Sequence, residues 1–261
     1  MTEFQAFLLG LIQGLTEFLP VSSSGHLELG HHFLHVQNHD NLLFTVVVHA
    51  ATVLSTLVVF RSDVAQLATS ALKFRWDEHA RYVVLLLLSA VPVAIVGLFF
   101  HDEVGELFNE NLLLVGSCLL VTATLLLFAH FRKKVDGKKI GFADSLLIGL
   151  AQAVAVLPGI SRSGATIATG LLLQNDRKET ARFSFLMVLL PIAGAVMLDL
   201  LKSGFRMDSE VGAVPLLIGF VTAFVSGLIA CRWMIRLVSR GKLIYFSIYC
   251  FIVGVIAIFA A

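Results

Sequence analysis

A chain of 261 residues that is 57% hydrophobic and only 14% charged, with a mean hydropathy of +0.89, is not an ordinary soluble domain, where about a quarter of residues are charged. It reads as an integral membrane protein. A net charge of +1 gives no reason to expect nucleic acid as a partner, and Cys118, Cys231 and Cys250 lie in apolar runs at unrelated spacings, as small hydrophobes rather than a disulfide framework or a metal site.

The N-terminus has no Lys or Arg before its first apolar stretch, and Gln13 and Glu17 interrupt that stretch, so it makes a poor signal peptide. The first apolar region, residues 3–36, is cut in the middle by Pro20-Val21-Ser22-Ser23-Ser24-Gly25. Runs of spanning length, about 20 residues, follow at 41–60, 82–100 and 112–131. A second broken region covers 141–174, cut between Pro158 and Gly164, and three further spans fall at 180–201, 214–238 and 243–261. Each half of a broken region is too short to cross comfortably. Both therefore read as re-entrant helical hairpins, since irregular backbone at membrane depth is tolerated only where it lines a cavity or is buried in protein. The expected fold is all-α: six transmembrane helices plus two re-entrant hairpins. His49 and Asp199 are lone polar groups in apolar spans, read as packing or helix-end residues, and Pro92 and Pro191 as kinks.

The two broken regions resemble each other. A shift of 139 residues carries Gly10 onto Gly149, Gln13 onto Gln152, Ser22 onto Ser161, Ser24 onto Ser163, Gly25 onto Gly164 and Phe44 onto Phe183. Pro20 falls on Gly159, one place from Pro158, so the match is imperfect. A unit of one hairpin and three spans has an odd number of crossings, so its second copy must be inverted. The reading is one membrane domain, 1–261, with repeat halves at about 1–135 and 140–261.

Basic residues orient this topology. With non-crossing hairpins, sixteen Lys and Arg gather on one side (Arg61 to Arg81, Arg132 to Lys139, Arg177 to Arg182, Arg232 to Lys242), and only Lys202 and Arg206 on the other. The loop 101–111 on the poor side carries Asp102, Glu103, Glu106 and Glu110. The rich side is cytoplasmic. Both termini and the mouth of the first hairpin then lie outside.

The remaining cation is Arg162, the only basic residue between Lys139 and Arg177. A guanidinium at depth is costly unless it faces a cavity or an anion. Pro158-Gly159 stops the preceding helix, and Ser161 or Ser163 can cap the next. Its free N–H groups and positive dipole end then join Arg162 in a place suited to phosphate. In the first region Gln13 and Glu17 share a helix face that runs toward Ser22-Ser23-Ser24-Gly25-His26. Apposed about a pseudo-twofold axis, the two breaks form an electropositive pocket suited to a diphosphate. The plainer alternatives are an interfacial carboxylate at Glu17, simple caps at Ser22 to Ser24, and a solvated outer face for His31, His32 and His35.

Leu15-Thr16-Glu17-Phe18-Leu19-Pro20-Val21-Ser22-Ser23-Ser24-Gly25-His26 closely resembles the first signature of bacterial undecaprenyl-diphosphatases of the bacitracin-resistance type. Pro158-Gly159-Ile160-Ser161-Arg162-Ser163-Gly164-Ala165-Thr166 resembles the second, and Gln13 with Glu17 the (Glu/Gln)-x-x-x-Glu motif. Phe183-Ser184-Phe185-Leu186 also looks familial. The resemblance runs along essentially the whole chain. Gln13, where some members carry Glu, leaves one fewer carboxylate for metal or proton. The resemblance implies removal of the terminal phosphate from a polyprenyl diphosphate in the bacterial inner membrane, recycling the lipid carrier of cell-wall synthesis.

On that footing Glu17, Ser23, His26 and Arg162 are the catalytic candidates. Ser23 is the preferred nucleophile, activated by Glu17 as base or through a bound divalent cation, with His26 as the acid/base for the leaving phosphate or the attacking water; the rival assignment makes His26 the nucleophile itself. Gln13, Ser22, Ser24, Ser161, Ser163, Gly164 and Thr166 are the substrate-binding candidates, and Glu17 the candidate ligand for Mg²⁺ or Ca²⁺. A homodimer is left open. A reading from another class, a transporter or flippase of an anionic lipid or small anion, uses the same clamp but has no need of a hydroxyl beside a base.

Overall fold

The computed structural model describes residues 1–36, 41–72, 76–100, 103, 104, 107, 111–132, 137–192, 194 and 211–261. Among these residues it is all-helical: α1 Glu3–Thr16, α2 Ser23–Phe33, α3 Asn41–Val59, α4 Arg61–Leu72, α5 Glu78–Phe99, α6 Leu112–Phe131, α7 Phe142–Val154, α8 Arg162–Leu172, α9 Arg177–Met187, α10 Ala213–Ser239 and α11 Ile244–Phe259. Local chemistry starts several of them. Thr2 and Gln5 form a capping box on α1, Asp77 caps α5, and Asn111 caps α6; each satisfies an N–H that the helix itself leaves open.

Among the described residues three helices, α5, α6 and α10, are long and apolar enough to cross a membrane. In α10, Val214, Leu217, Val221, Val225 and Ile229 are exposed at three- and four-residue steps, an apolar stripe turned outward, which water would disfavour and lipid accepts. This is a multi-pass membrane protein. The expected spans at 82–100, 112–131 and 214–238 are thus met by full-length helices, and the others depart from expectation. The run 41–60 continues past a bend of 80° into a helix not anticipated, α4, and only the bent pair together passes as a fourth span. The run 243–261 forms the 16-residue α11, about 24 Å at 1.5 Å per residue, short of a bilayer core of about 30 Å. The run 180–201 holds α9, which ends at Met187; Asp199, Lys202 and Arg206 lie outside the described residues. Pro92 sits buried inside α5, which continues through it.

The packing places the two broken regions at the centre. Helix α10 packs against both α1 and α3, α7 lies on α5, and α6 pairs with α11 and touches α2 and α8. Contacts close where side chains vanish. A Cβ on Gly10 would strike the backbone of Gly219, one on Gly149 the backbone of Ser89, and one on Gly116 the carbonyl of Gly254. Small residues of this kind let helix backbones approach within a membrane. Around them Phe18, Val115, Leu119, Ile148, Ile167, Phe183 and Met234 form one core, and Leu9, Phe44, Val48 and Ala223 another.

Candidate active site

Each broken region is two helices joined by a capped turn. Helix α1 closes on Glu17, whose N–H donates to Gln13 O at 2.9 Å. The chain turns through Ser22, at φ 69, and the Ser22 Oγ accepts the Gly25 N–H at 3.3 Å to start α2. In the second region Gly159 turns at φ 95, and Ser161 Oγ accepts the Gly164 N–H at 3.0 Å to start α8. Thr122 of α6 pins this turn. It accepts the Ser161 N–H at 3.0 Å and donates to Gly159 O at 3.3 Å. The two turns touch: a Cβ on Gly25 would sit 3.1 Å from Gly159 Cα, and one on Gly164 3.3 Å from Pro20 Cβ. Ser163 Oγ donates across the gap to Leu19 O at 3.1 Å.

Glu17 is the hub. Its side chain is 5% exposed and pairs through Oε1 with Nη2 of Arg162, the first residue of α8. Its Oε2 accepts the Ser23 hydroxyl at 2.7 Å and the Gln13 amide at 2.9 Å. A buried carboxylate is tolerable only with such partners. Nη2 makes the Glu17 contact, and a guanidinium carries five N–H donors, so part of the fork remains for other oxygens. Beside the pair lies a cavity lined by Glu17, Arg162 and Ser163 together with Thr52, Thr56 and Ser184.

The sequence candidates therefore divide. Gln13, Glu17, Ser23 and Arg162 meet directly. Ser163 bridges the two breaks, and Thr166 Oγ1 donates to Arg162 O at 2.9 Å while standing 2.6 Å from Ser184 Oγ. Ser22, Ser161 and Gly164 shape the turns, with Ser24 Oγ 3.3 Å from Ser22 Oγ. His26 turns toward α11: Nδ1 is 2.8 Å from Ser22 O and Nε2 is 2.8 Å from the Tyr249 hydroxyl. Of the three outer histidines, His32 and His35 are exposed but His31 is buried at 5%, which corrects the solvated face expected for all three. α2 lays its 25, 27, 29 and 31 positions inward.

Sequence reasoning read His49 as a packing or helix-end residue, whereas its Nε2 stands 3.9 Å from Glu17 Oε2. Its signal was available, because His49, Thr52 and Thr56 fall on one helix face. Tyr249 and Thr122 carried no such signal; each stands alone on a distant helix. Among the described residues no cluster of three or more His, Cys, Asp or Glu is placed to hold a metal ion. Gln13 Oε1, buried and without a hydrogen-bond partner, is a further oxygen beside Glu17 that would suit a cation.

The family model for bacitracin resistance protein BacA matches residues 6–256. The undecaprenyl-diphosphatase of Bacteroides fragilis is 51% identical over 260 residues, covering 99% of this chain and 98% of the relative. That of Christiangramia forsetii is 52% identical over 263 residues, covering 100% and 99%, and that of Methanobrevibacter smithii 35% over 271 residues, covering 98% and 96%. With motifs, coverage and identity all running from end to end, the chain belongs to the bacitracin resistance protein BacA family.

Proposed function

We propose that this chain is a membrane phosphatase that hydrolyses undecaprenyl diphosphate to undecaprenyl phosphate and inorganic phosphate, returning the lipid carrier of cell-wall synthesis to use. The observation that carries the reading is the Ser23–Glu17–Arg162 chain: a hydroxyl donating at 2.7 Å to a carboxylate that is itself paired with a guanidinium, at the meeting point of two helix N-termini. Phosphoryl transfer asks mainly for positioning and charge stabilisation. A carrier site has no use for the hydroxyl–carboxylate contact.

In this mechanism Arg162 and the N–H groups opening α8 hold the terminal phosphoryl oxygens. Ser23 Oγ attacks the terminal phosphorus and its proton passes to Glu17 along the existing hydrogen bond. The bond from phosphorus to the bridging oxygen breaks, and undecaprenyl phosphate leaves with that oxygen and the electron pair. Water then attacks the phosphoserine, giving one proton to His26, while Glu17 returns its proton to Ser23 Oγ and phosphate departs. Ser23 is preferred to His26 as nucleophile because its hydroxyl already donates to the carboxylate that would take its proton, beside the guanidinium that would hold the phosphate. A bound Mg²⁺ or Ca²⁺ would neutralise phosphate charge. One carboxylate and the Gln13 oxygen supply too few ligands alone, so the substrate's own oxygens would complete its shell.

The fold proposed for this activity has six crossings and two re-entrant hairpins in an inverted repeat, with halves at about 1–135 and 140–261. Features recurring at the 139-residue shift support it. Ser22 and Ser161 cap in the same way, Gln13 and Gln152 are both buried, as are Phe44 and Phe183, and the Gly25–Gly159 and Gly164–Pro20 approaches are reciprocal. The basic-residue bias then sets the site at the outer face of the bacterial inner membrane, with both termini outside.

The test is phosphate release from a polyprenyl diphosphate by purified protein in detergent, with and without Mg²⁺ or Ca²⁺. Turnover that disappears in Ser23→Ala and Arg162→Ala supports the reading. Binding without turnover in the unmutated protein overturns it in favour of a carrier.

A further inference from the structure

Tyr249 belongs to neither broken region. It lies on α11, 223 residues from His26 in sequence, yet its hydroxyl is 2.8 Å from His26 Nε2. Its ring stacks on the imidazole with centroids 5.6 Å apart and planes inclined by 11°. On the opposite edge of the imidazole, Nδ1 is 2.8 Å from Ser22 O. A carbonyl oxygen only accepts, so Nδ1 carries the proton, and in the neutral ring Nε2 holds the lone pair into which the phenol O–H donates. The imidazole is thus held at both edges. The Ser22 carbonyl is itself held by the turn at φ 69 and its cap to Gly25.

The surroundings of Tyr249 argue that the hydroxyl, not the ring, is what the position requires. Ile248, Phe251 and Ile252 beside it are exposed, as on a helix face turned to lipid. Phe would pack there equally well, and a phenol O–H at that depth needs a partner. His26 Nε2 is that partner.

We infer that Tyr249 is a positioning residue for His26: its O–H donates to Nε2, aims that nitrogen in one direction, and covers its lone pair until the reaction needs it. The inference rests on the reading of His26 as the proton acceptor in the water step. A base whose orientation is preset has no rotamer search to make when the phosphoserine forms. The same hydroxyl keeps Nε2 from competing with Ser23 for phosphorus.

The experiment uses full-length protein in detergent and the variants Tyr249→Phe, His26→Gln and the double variant. Phe keeps the stacked ring, and unchanged thermal unfolding checks that the fold is retained. In the Tyr249→Phe protein kcat is expected to fall about tenfold, the order of one hydrogen bond, with KM little changed. The double variant is expected to match His26→Gln alone. The imidazole ¹⁵N signal of His26 Nε2 should shift in Tyr249→Phe as its donated hydrogen bond is lost, while Nδ1 keeps its proton, donated to Ser22 O. Equal losses from Tyr249→Phe with and without His26, or an Nε2 signal that does not move, would overturn the inference. Full turnover in His26→Gln would defeat the proton-acceptor reading by itself, and the Nε2 signal distinguishes that failure from a failure of the Tyr249 contact.

Discussion

Glu17 and Arg162 are costly residues to take out of water, and each is the other's remedy. Removing one strands the other, so their variants should fail in two ways at once. Glu17→Gln keeps the shape of the side chain but can neither balance Arg162 nor take the Ser23 proton. Its kcat should drop by roughly 100-fold or more, the range for loss of a general base, and its melting temperature should fall with it. Arg162→Lys keeps a point charge but loses the planar fork, so it should retain more phosphate release than Arg162→Ala while showing a raised KM. A Lys variant no better than Ala would mean that charge is not what Arg162 contributes. At Ser22 the expected effect is structural: Ser22→Ala removes the cap on α2 and should cost about 1 kcal/mol of stability, read by thermal unfolding.

At the scale of elements, the turns matter more than the helices they join. Gly159 sits at φ 95, and a Cβ there would run into the Val115 carbonyl and Cys118. Gly159→Ala should therefore destabilise the protein by on the order of 3 kcal/mol, combining backbone strain with a backbone clash. It should also disturb the Thr122 contacts that hold the second break, so activity should fall even in the fraction that remains folded. The start of α5 offers a separate test. Asp77 accepts the Ala80 N–H at 2.8 Å and the Ser70 hydroxyl at 2.7 Å, and these bonds, Ala80's first, hold its carboxyl below the usual range. A lowered folded-state pKa lends stability that is complete above the unfolded value, about 4, and is lost as pH falls through the folded one. The melting difference between unmutated protein and Asp77→Asn should shrink between about pH 6 and about pH 3.

For the whole molecule, the inverted-repeat reading makes the outer face the place of chemistry. A cysteine introduced at Ser24 should react with a membrane-impermeant reagent applied from outside intact cells, and protection from that side alone would reverse the proposed orientation. The reading also sets how the reaction meets metal. With a single carboxylate at the hub, any divalent cation arrives with the diphosphate in the proposed reading. Chelation should then lower turnover while leaving the melting temperature of the substrate-free protein unchanged.

Composition was sufficient for membrane class and helical content, because apolar runs in lipid have no other way to satisfy their backbones than helices or closed barrels. Spacing and punctuation located both breaks, their capping serines and the residues Gln13, Glu17, Ser23 and Arg162, since Pro, Gly and Ser act within a few residues of themselves. What the sequence alone left open was everything carried by contacts between distant segments. His49 reaches Glu17 from α3, Thr122 braces the second turn from α6, and Tyr249 meets His26 from α11. The bend after Val59 and the shortness of α11 were equally hidden, because hydropathy records how well a segment tolerates lipid but not where its axis must turn to pack. Sequence determined which residues were too polar to be there without a reason; only the tertiary structure decided which of them answer one another, because a pairing between segments over a hundred residues apart is set by how the helices stack and by nothing local to either partner.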